Sequence, residues 1–343
     1  MKAPRLAVVG ATGVVGETLL RLMEQRDFPV GELLPLASAR SAGTTVKFRG
    51  QDVVVREAAP EAFEGLDLVF FAATGALSKT LAPEAVKRGA MVIDKSSTWR
   101  MDPAVPLVVP EINAHTIPSE AGIIASPNCS TIGVLQAIWP VHQVAGLKSM
   151  WVTTLQAASG AGEPGLTELR TQVRADADAI GADLSGAQTS STPTSIFPRK
   201  LHNNVLPQCG SFVDDWTDEE LKLVHESRKI MGLPNFDVAA TCVRVPVEVG
   251  HCASILLRCE KELSLDTIHS AIAEHPGAAL IDDPAQALYP IPDDAAGVDD
   301  VFIGRIRINP DDPREVMLWQ AGDNLRKGAA TNAIQIAEAI VNR

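Results

Sequence analysis

A thiol at the start of a helix is the sharpest chemical signal in this chain. In Ser126-Pro127-Asn128-Cys129-Ser130-Thr131 an apolar strand-like stretch precedes the cysteine and a long apolar helix-like stretch follows it. Unpaired backbone N–H groups and the positive end of the helix dipole favour the thiolate there, and the thiolate is the form that attacks carbonyls. Asn128 is placed to cap the helix and Pro127 to stiffen its entry. The alternative is a small buried hydrophobe, the common fate of a free cysteine.

A second signal is a glycine turn. Leu6-Ala7-Val8-Val9 reads as a buried strand, followed by Gly10-Ala11-Thr12-Gly13-Val14-Val15-Gly16 and a helix-like stretch from Glu17 to Gln25. Glycines let backbone approach a pyrophosphate closely, and the helix N-terminus beyond supplies N–H donors. The spacing is G-x-x-G-x-x-G, so a tight turn packed for its own sake stays open. The next strand, Leu33 to Ala37, leads into Ser38-Ala39-Arg40-Ser41-Ala42-Gly43. NAD-binding folds commonly hold the ribose 2′-hydroxyl with a carboxylate here, and none is present. Arg40 forking onto a 2′-phosphate, with Ser38 or Ser41 donating, selects NADP; an exposed loop arginine is the alternative.

These residues need a scaffold. Further strands are predicted at Val53 to Arg56, Leu68 to Phe71, Met91 to Asp94, Leu107 to Val109 and Ile123 to Ser126, with a helix from Ser78 to Arg88. Alternating strands and helices predict an α/β, Rossmann-type doubly wound parallel sheet, whose last strand delivers Cys129 to the carboxyl end where ligands bind. Past Gly146 the texture changes. Ser149 to Gln156, Thr241 to Val249, Ala253 to Cys259, Phe302 to Ile308 and Val316 to Ala321 are strand-like, with helices at Thr217 to Met231 and Leu265 to His275. That predicts an α+β substrate and dimerisation domain with a mixed, largely antiparallel sheet. The amphipathic stretch Gly328 to Val341 needs its apolar face covered and is expected to return to the first domain. The expected domains are residues 1–133 with 323–343, and 134–322.

Composition bounds the partners. At 343 residues the chain exceeds the usual single domain, and 46% apolar content makes it a folded protein. A net charge of -12 argues against nucleic acid or an anionic membrane, which need a basic face. Five scattered cysteines without C-x-x-C spacing suggest neither disulfides nor a metal site. Glycines break the N-terminal apolar run before signal-peptide length, and no stretch is long enough to span a bilayer, so a cytoplasmic chain is expected.

Seven segments in order carry a resemblance. They are Gly10-Ala-Thr-Gly13, Ser38-Ala-Arg40-Ser41-Ala-Gly, Val109-Pro110-Glu111-Ile112-Asn113, Pro127-Asn128-Cys129-Ser130-Thr131, Gln156-Ala-Ala-Ser159-Gly160-Ala-Gly162, Cys242-Val-Arg244-Val-Pro246-Val and Asp323-Asn324-Leu-Arg-Lys-Gly-Ala-Ala-Thr-Asn332. Nearly end to end, the chain resembles aspartate-β-semialdehyde dehydrogenase. The resemblance implies that β-aspartyl phosphate acylates Cys129 with loss of inorganic phosphate, and that NADPH reduces the thioester to the semialdehyde. This step serves lysine, threonine, methionine and isoleucine biosynthesis. It further implies a homodimer, with a tetramer as the family's other usual assembly.

The same resemblance assigns roles. His251, in Val249-Gly250-His251, is the imidazole that takes the thiol proton or shuttles one to the hemithioacetal oxygen. Gln156 holds the substrate or polarises its carbonyl. Arg244 lies in an apolar strand and needs an anion: the substrate carboxylate, or a protein carboxylate in a buried salt bridge. Glu219 and Lys222 share a helix face and read by themselves as a surface ion pair; the resemblance gives them the substrate ammonium and the phosphate. It makes Arg100 the main phosphate arginine. Ser159 and Gly160 form a loop beside the nicotinamide, and Asn324 bonds the cofactor from the other side.

Arg244 and His251 are seven apart, an odd separation that puts them on opposite faces of an unbroken strand. Pro246 or Gly250 must therefore mark a bend. Lys95, Leu155 and Asn203 depart from the family's usual asparagine, tyrosine and phenylalanine; Lys95 either strengthens anion binding or points outward. Two other readings remain. An N-acetyl-γ-glutamyl-phosphate reductase shares the architecture and the cysteine, but its acylated substrate nitrogen has no charge for Glu219. A non-catalytic dinucleotide-binding paralogue is disfavoured by the presence of Cys129, Gln156, Arg244 and His251 together.

Overall fold

The computed structural model describes residues 3–180 and 194–343. The chain begins with β1 (Arg5–Val9), α1 (Val14–Gln25), β2 (Glu32–Ala37), β3 (Thr45–Phe48), β4 (Gln51–Val54), β5 (Arg56–Glu57), β6 (Leu68–Phe71), α2 (Gly75–Lys87) and β7 (Met91–Asp94). It continues with α3 (Pro110–Asn113), β8 (Ile123–Ala125), α4 (Cys129–Ala145), β9 (Leu147–Gln156), α5 (Gly162–Ile180), β10 (Phe212–Val213), β11 (Trp216–Thr217) and α6 (Asp218–Met231). There follow β12 (Asp237–Arg244), β13 (His251–Cys259), α7 (Leu265–Ala273), β14 (Ala278–Leu280), α8 (Pro292–Ala295), β15 (Val301–Ile308), β16 (Glu315–Gly322) and α9 (Asn332–Val341). Packing divides these into one unit of Met1–Leu135, His225–Phe236 and Leu325–Arg343, and another of Gln136–Val224 and Asp237–Asn324.

The first unit is a doubly wound sheet in the order β5-β2-β1-β6-β7-β8, with every pair parallel. Its strands are apolar throughout because both faces are covered. Leu6 and Val8 of β1 pack with Leu19 and Leu22 of α1 and Ile334 and Ile336 of α9, whereas Ala7 and Val9 pack with Leu81 and Ala85 of α2. Each such buried Leu or Phe contributes about 1.5–3 kcal/mol. The turn after β1 lies at the carboxyl end of the sheet, where β2 and β6 diverge on either side. Gly10 takes φ +86 there, and a Cβ on it would lie 2.3 Å from the Ala72 carbonyl oxygen.

The expected parallel α/β sheet is present, with differences of detail. Leu107 to Val109 forms no strand; Leu107 makes one bridge, to Ala125. The ladder goes no further because Asn332 Nδ2 takes its next acceptor, Val108 O, at 2.9 Å and Pro110 has no N–H to donate, while the Asn113 side chain binds Leu107 O at 2.8 Å and Val109 N–H at 2.9 Å on the outer edge. Val53 to Arg56 is not one strand either. β4 closes a hairpin with β3 through Arg49 and Gly50, both at positive φ, while β5 joins the edge of the sheet beside β2. The predicted helix from Gly328 becomes a widened π turn over Arg326–Thr331 before α9. Inside it Lys327, fully buried, bonds both Glu111 oxygens at 2.7 Å.

The second unit is a mixed sheet in the order β12-β9-β13-β16-β15-β14. β9 with β12 and β14 with β15 are parallel, and the other three pairs are antiparallel, as expected. The strand predicted at Thr241 to Val249 instead starts at Asp237 and stops at Arg244. Pro246 has no N–H for a ladder, and Gly250 at φ +98 restarts the chain as β13. Leu155 packs with Cys252, Ala295 and Ala321. Asn203 sits at φ +60, a conformation asparagine tolerates better than phenylalanine does. No helix of the described residues is long and apolar enough to cross a membrane.

Three glycines of one motif divide by role. A Cβ on Gly16 would lie 2.1 Å from Gly10 O, whereas one on Gly13 meets nothing nearer than 3.5 Å. Gly16→Ala is expected to lower stability by about 1–3 kcal/mol. Gly13→Ala should cost under about 1 kcal/mol. Urea unfolding midpoints compare the two.

Candidate active site

Cys129 stands where β8 hands over to α4. Ile132 N–H donates to Asn128 O at 3.0 Å, so Asn128 is the cap residue and Cys129 the first residue of the helix. The Asn128 side-chain oxygen accepts from Cys129 N–H at 2.9 Å and lies 3.6 Å from the sulfur. All five cysteines are free thiols, but only Cys129 is partly exposed. Burial pushes the Cys242 thiol up, Cys252 up to about 12 and Cys259 up to about 11, which leaves them inert.

The turn before Cys129 is held by charge. Asn128 N–H donates to Glu226 at 2.8 Å, and the other Glu226 oxygen takes Arg100 Nη1 at 2.9 Å. Both partners are buried, with side-chain exposures of 9% for Arg100 and 1% for Glu226. Arg100 Nη2 donates to Lys95 O at 2.8 Å, while its buried Nε has no hydrogen-bond partner among the described residues. Gly328 seals the other side: a Cβ on it would lie 2.9 Å from the Cys129 Cβ.

In the second unit the strand ends converge. Arg244 of β12 lies directly opposite Gln156 of β9, and on the other side of β9 the pair Cys252–Leu155 brings His251 to the same end. One residue, Ala157, then holds two side chains by its main chain. Its N–H donates to His251 Nδ1 at 3.1 Å, and its carbonyl accepts from Arg244 Nη1 at 2.6 Å. Arg244 is 7% exposed and pairs with no carboxylate among the described residues. Gly160 makes room, since a Cβ there would lie 2.7 Å from Arg244 Nη1 and 3.2 Å from His251 Nε2.

Polar partners complete this end. Gln156 Nε2 donates to Glu219 at 3.0 Å, and Lys222 Nζ reaches Glu219 at 3.2 Å and Asp218 at 2.7 Å. Burial opposes the Lys222 charge, but Glu219 and Asp218 outweigh it and hold the ammonium above its ordinary value. Burial, and then the Arg244 guanidinium, push His251 down from 6.5 to about 3. The imidazole is therefore neutral. Because Nδ1 accepts from Ala157, its proton sits on Nε2. Asn324 bonds Ser159 Oγ and accepts from Gly250 N–H at 3.0 Å, which ties the Ser159 loop to the start of β13.

The glycine turn fits a dinucleotide. Gly13 caps α1 with no side-chain bond, so the amides of Val14 and Val15 keep the donors a helix start leaves over. Thr12 and Gly13 are exposed, as are Ser38 and Arg40 after β2, and Ser41 is half-buried. No carboxylate side chain stands between Ser38 and Gly43. Cys129, Arg100 and these nucleotide-loop residues belong to the first unit; Gln156, His251, Arg244, Glu219, Lys222, Ser159, Gly160 and Asn324 belong to the second.

The chain is similar to known proteins along nearly its whole length. A family model described as semialdehyde dehydrogenase, NAD binding domain matches residues 5–119, and one described as semialdehyde dehydrogenase, dimerisation domain matches residues 138–327. The aspartate-semialdehyde dehydrogenase of Bacillus subtilis is 45% identical over 341 residues, covering 98% of this chain and 96% of that protein. The chain belongs to the aspartate-semialdehyde dehydrogenase family. The relative from Aquifex aeolicus is also 45% identical, covering 98% of each chain. A crystal structure of aspartate semialdehyde dehydrogenase II of Vibrio cholerae complexed with ASA is 37% identical. It has a TM-score of 0.93 and covers 100% of this chain and 99% of that one.

Sequence reasoning missed Glu226, which lies 126 residues from Arg100 on an ordinary amphipathic helix with no local signal. It also missed the Ala157 main chain, since a backbone bracket leaves no mark on residue type. The buried imidazole has a measurable consequence. Between pH 6.5 and about 3 the unfolded chain binds a proton at position 251 that the folded chain refuses, so stability falls as pH drops through that window. His251→Asn should remove up to about 1.4 kcal/mol per pH unit of that slope, read from denaturant midpoints across the range.

Proposed function

We propose that this protein reduces β-aspartyl phosphate to aspartate β-semialdehyde through a thioester on Cys129, with NADPH as the reductant. The observation that carries the reading is Arg244, a guanidinium out of water with no protein carboxylate paired to it among the described residues. A buried cation of that kind is a site for a substrate carboxylate. Glu219, a turn from Lys222, suits the free ammonium of an amino acid, which argues against an N-acylated substrate.

The chemistry follows from the side chains. The Cys129 thiolate attacks the acyl carbon, the carbonyl oxygen takes the negative charge, and collapse breaks the bond to phosphate and leaves a thioester. Arg100 and Lys222 supply positive charge for the departing phosphate. When bound, NADPH supplies the hydride that converts the thioester to the aldehyde. Expulsion of sulfur then restores the thiolate. With sulfur already anionic, the one proton the reduction consumes goes to the departing phosphate, which leaves as hydrogen phosphate, so what the oxyanions on carbon need is a hydrogen-bond donor. A neutral His251 with its proton on Nε2 is such a donor, and this role fits its environment better than that of a base taking the thiol proton. Gln156, held by Glu219, orients the acyl group.

Arg40 and Ser38 support NADP over NAD, because exposed cation and hydroxyl donors suit a 2′-phosphate. Exposed Trp151 and Trp216, beside a cavity of about 500 Å³ on the second unit's sheet, together with the match to a dimerisation domain, support a homodimer. The five reduced thiols suit the cytoplasm, and the product suits biosynthesis of lysine, threonine, methionine and isoleucine.

Mixing enzyme, NADP, phosphate and semialdehyde in a stopped flow should give a burst of NADPH that Cys129→Ala abolishes, with turnover reduced about 1000-fold or more. A normal burst from that variant overturns the mechanism. Arg40→Ala should raise KM for NADP about tenfold or more while leaving NAD kinetics unchanged, measured by initial rates with each dinucleotide.

A further inference from the structure

Lys95 reaches the nucleophile's surroundings and points inward. Its ammonium donates to Ser126 Oγ at 3.1 Å, to Pro127 O at 3.3 Å and to Gly328 O at 3.2 Å. Three acceptors for three protons is the complement of a charged ammonium. Ser126 Oγ also accepts from Asn332 Nδ2 at 3.0 Å, so its lone pairs are committed as acceptors. The two carbonyls among these acceptors bracket Cys129. Pro127 lies two residues before it, and Gly328 is the residue whose backbone packs against its Cβ and Cα.

We propose that Lys95 is a positioning residue of the nucleophile: its ammonium ties the Ser126–Pro127 segment to Gly328 and holds positive charge beside the Cys129 thiol. An asparagine in its place offers two N–H groups and no charge. The charged groups around Lys95 are Arg100, Cys129, Glu226 and Asp94. Burial, and then Arg100, push the ammonium down to about 7, while Cys129, Glu226 and Asp94 pull it back up. Thiolate at Cys129 and ammonium at Lys95 thus favour one another near neutral pH. Loss of the lysine proton at higher pH withdraws the support where the thiol least needs it.

The inference takes Cys129 as the nucleophile, and its test does not pass through turnover. Full-length protein is alkylated with iodoacetamide from pH 5.5 to 9, and modification at Cys129 is followed by peptide mass spectrometry. Lys95→Met and Lys95→Asn are expected to raise the pH midpoint of Cys129 alkylation by about one unit, a roughly tenfold slower reaction at pH 6. Lys95→Arg, which keeps the charge, should restore most of the wild-type profile. Coincident profiles in variants that melt cooperatively overturn the inference, as does an equal shift in Lys95→Arg. If Lys95→Met does not fold, Lys95→Asn decides alone, since its amide still offers hydrogen bonds to the buried acceptors without the charge. A Cys129→Ala protein with normal turnover would instead overturn the thioester while leaving the alkylation result standing.

Discussion

The ion pair between Arg100 and Glu226 is the interaction on which the nucleophile's loop depends. Two charges almost entirely out of water attract each other strongly, but removing them from solvent costs nearly as much, so the pair adds little net stability. What it does is dictate geometry. Once Arg100 occupies one Glu226 oxygen, the other oxygen needs a donor, and it takes the peptide N–H of Asn128. The opposite side of the guanidinium fixes the carbonyl of Lys95. Neutralising one buried charge therefore sets the backbone just ahead of Cys129 and the strand end that carries Lys95. A second buried pair, Lys327 with Glu111, does the same for the Gly328 segment.

The second unit reaches similar precision by other means. Gln156 and Arg244 are aligned by strand register, which costs no side-chain order of its own. Register alone leaves the tips of long side chains loose. The peptide of Ala157 supplies the missing constraint by meeting imidazole with its N–H and guanidinium with its carbonyl. Because a backbone donor occupies Nδ1, the tautomer of His251 is selected by the fold and not by solvent. Gly160 lacks the carbon that would press these two groups aside.

Much of this was readable along the chain where the cause is local. The β1 strand announced itself because burial on both faces requires an uninterrupted apolar run, and the Gly10 turn because a positive φ beside Ala72 O leaves no room for a side chain. Asn128 before Cys129 was legible because capping acts over one residue. The break between Arg244 and His251 followed from strand parity, and Gly250 carries it. The unreadable parts involve distant partners. Glu226 looks like any charge on a helix until Arg100 arrives beside it. Leu107 to Val109 has a strand's composition, but Asn332, 224 positions from Val108, takes the carbonyl that would extend its ladder. Lys95 offered two directions, and its acceptors, Ser126 Oγ, Pro127 O and Gly328 O, all lie far along the chain.

The reliance of Lys95 on Gly328 has a temporal side. Residues 95 and 328 are 233 positions apart, and the Lys327–Glu111 bond spans 216. A ribosome releases the thiol and its helix long before the segment that closes around them, so the cysteine loop passes through translation unbuttressed. Until that late segment docks, Glu111 lacks Lys327 and Lys95 lacks one of its three acceptors. The thiol thus acquires its finished surroundings only in the closing stage of synthesis.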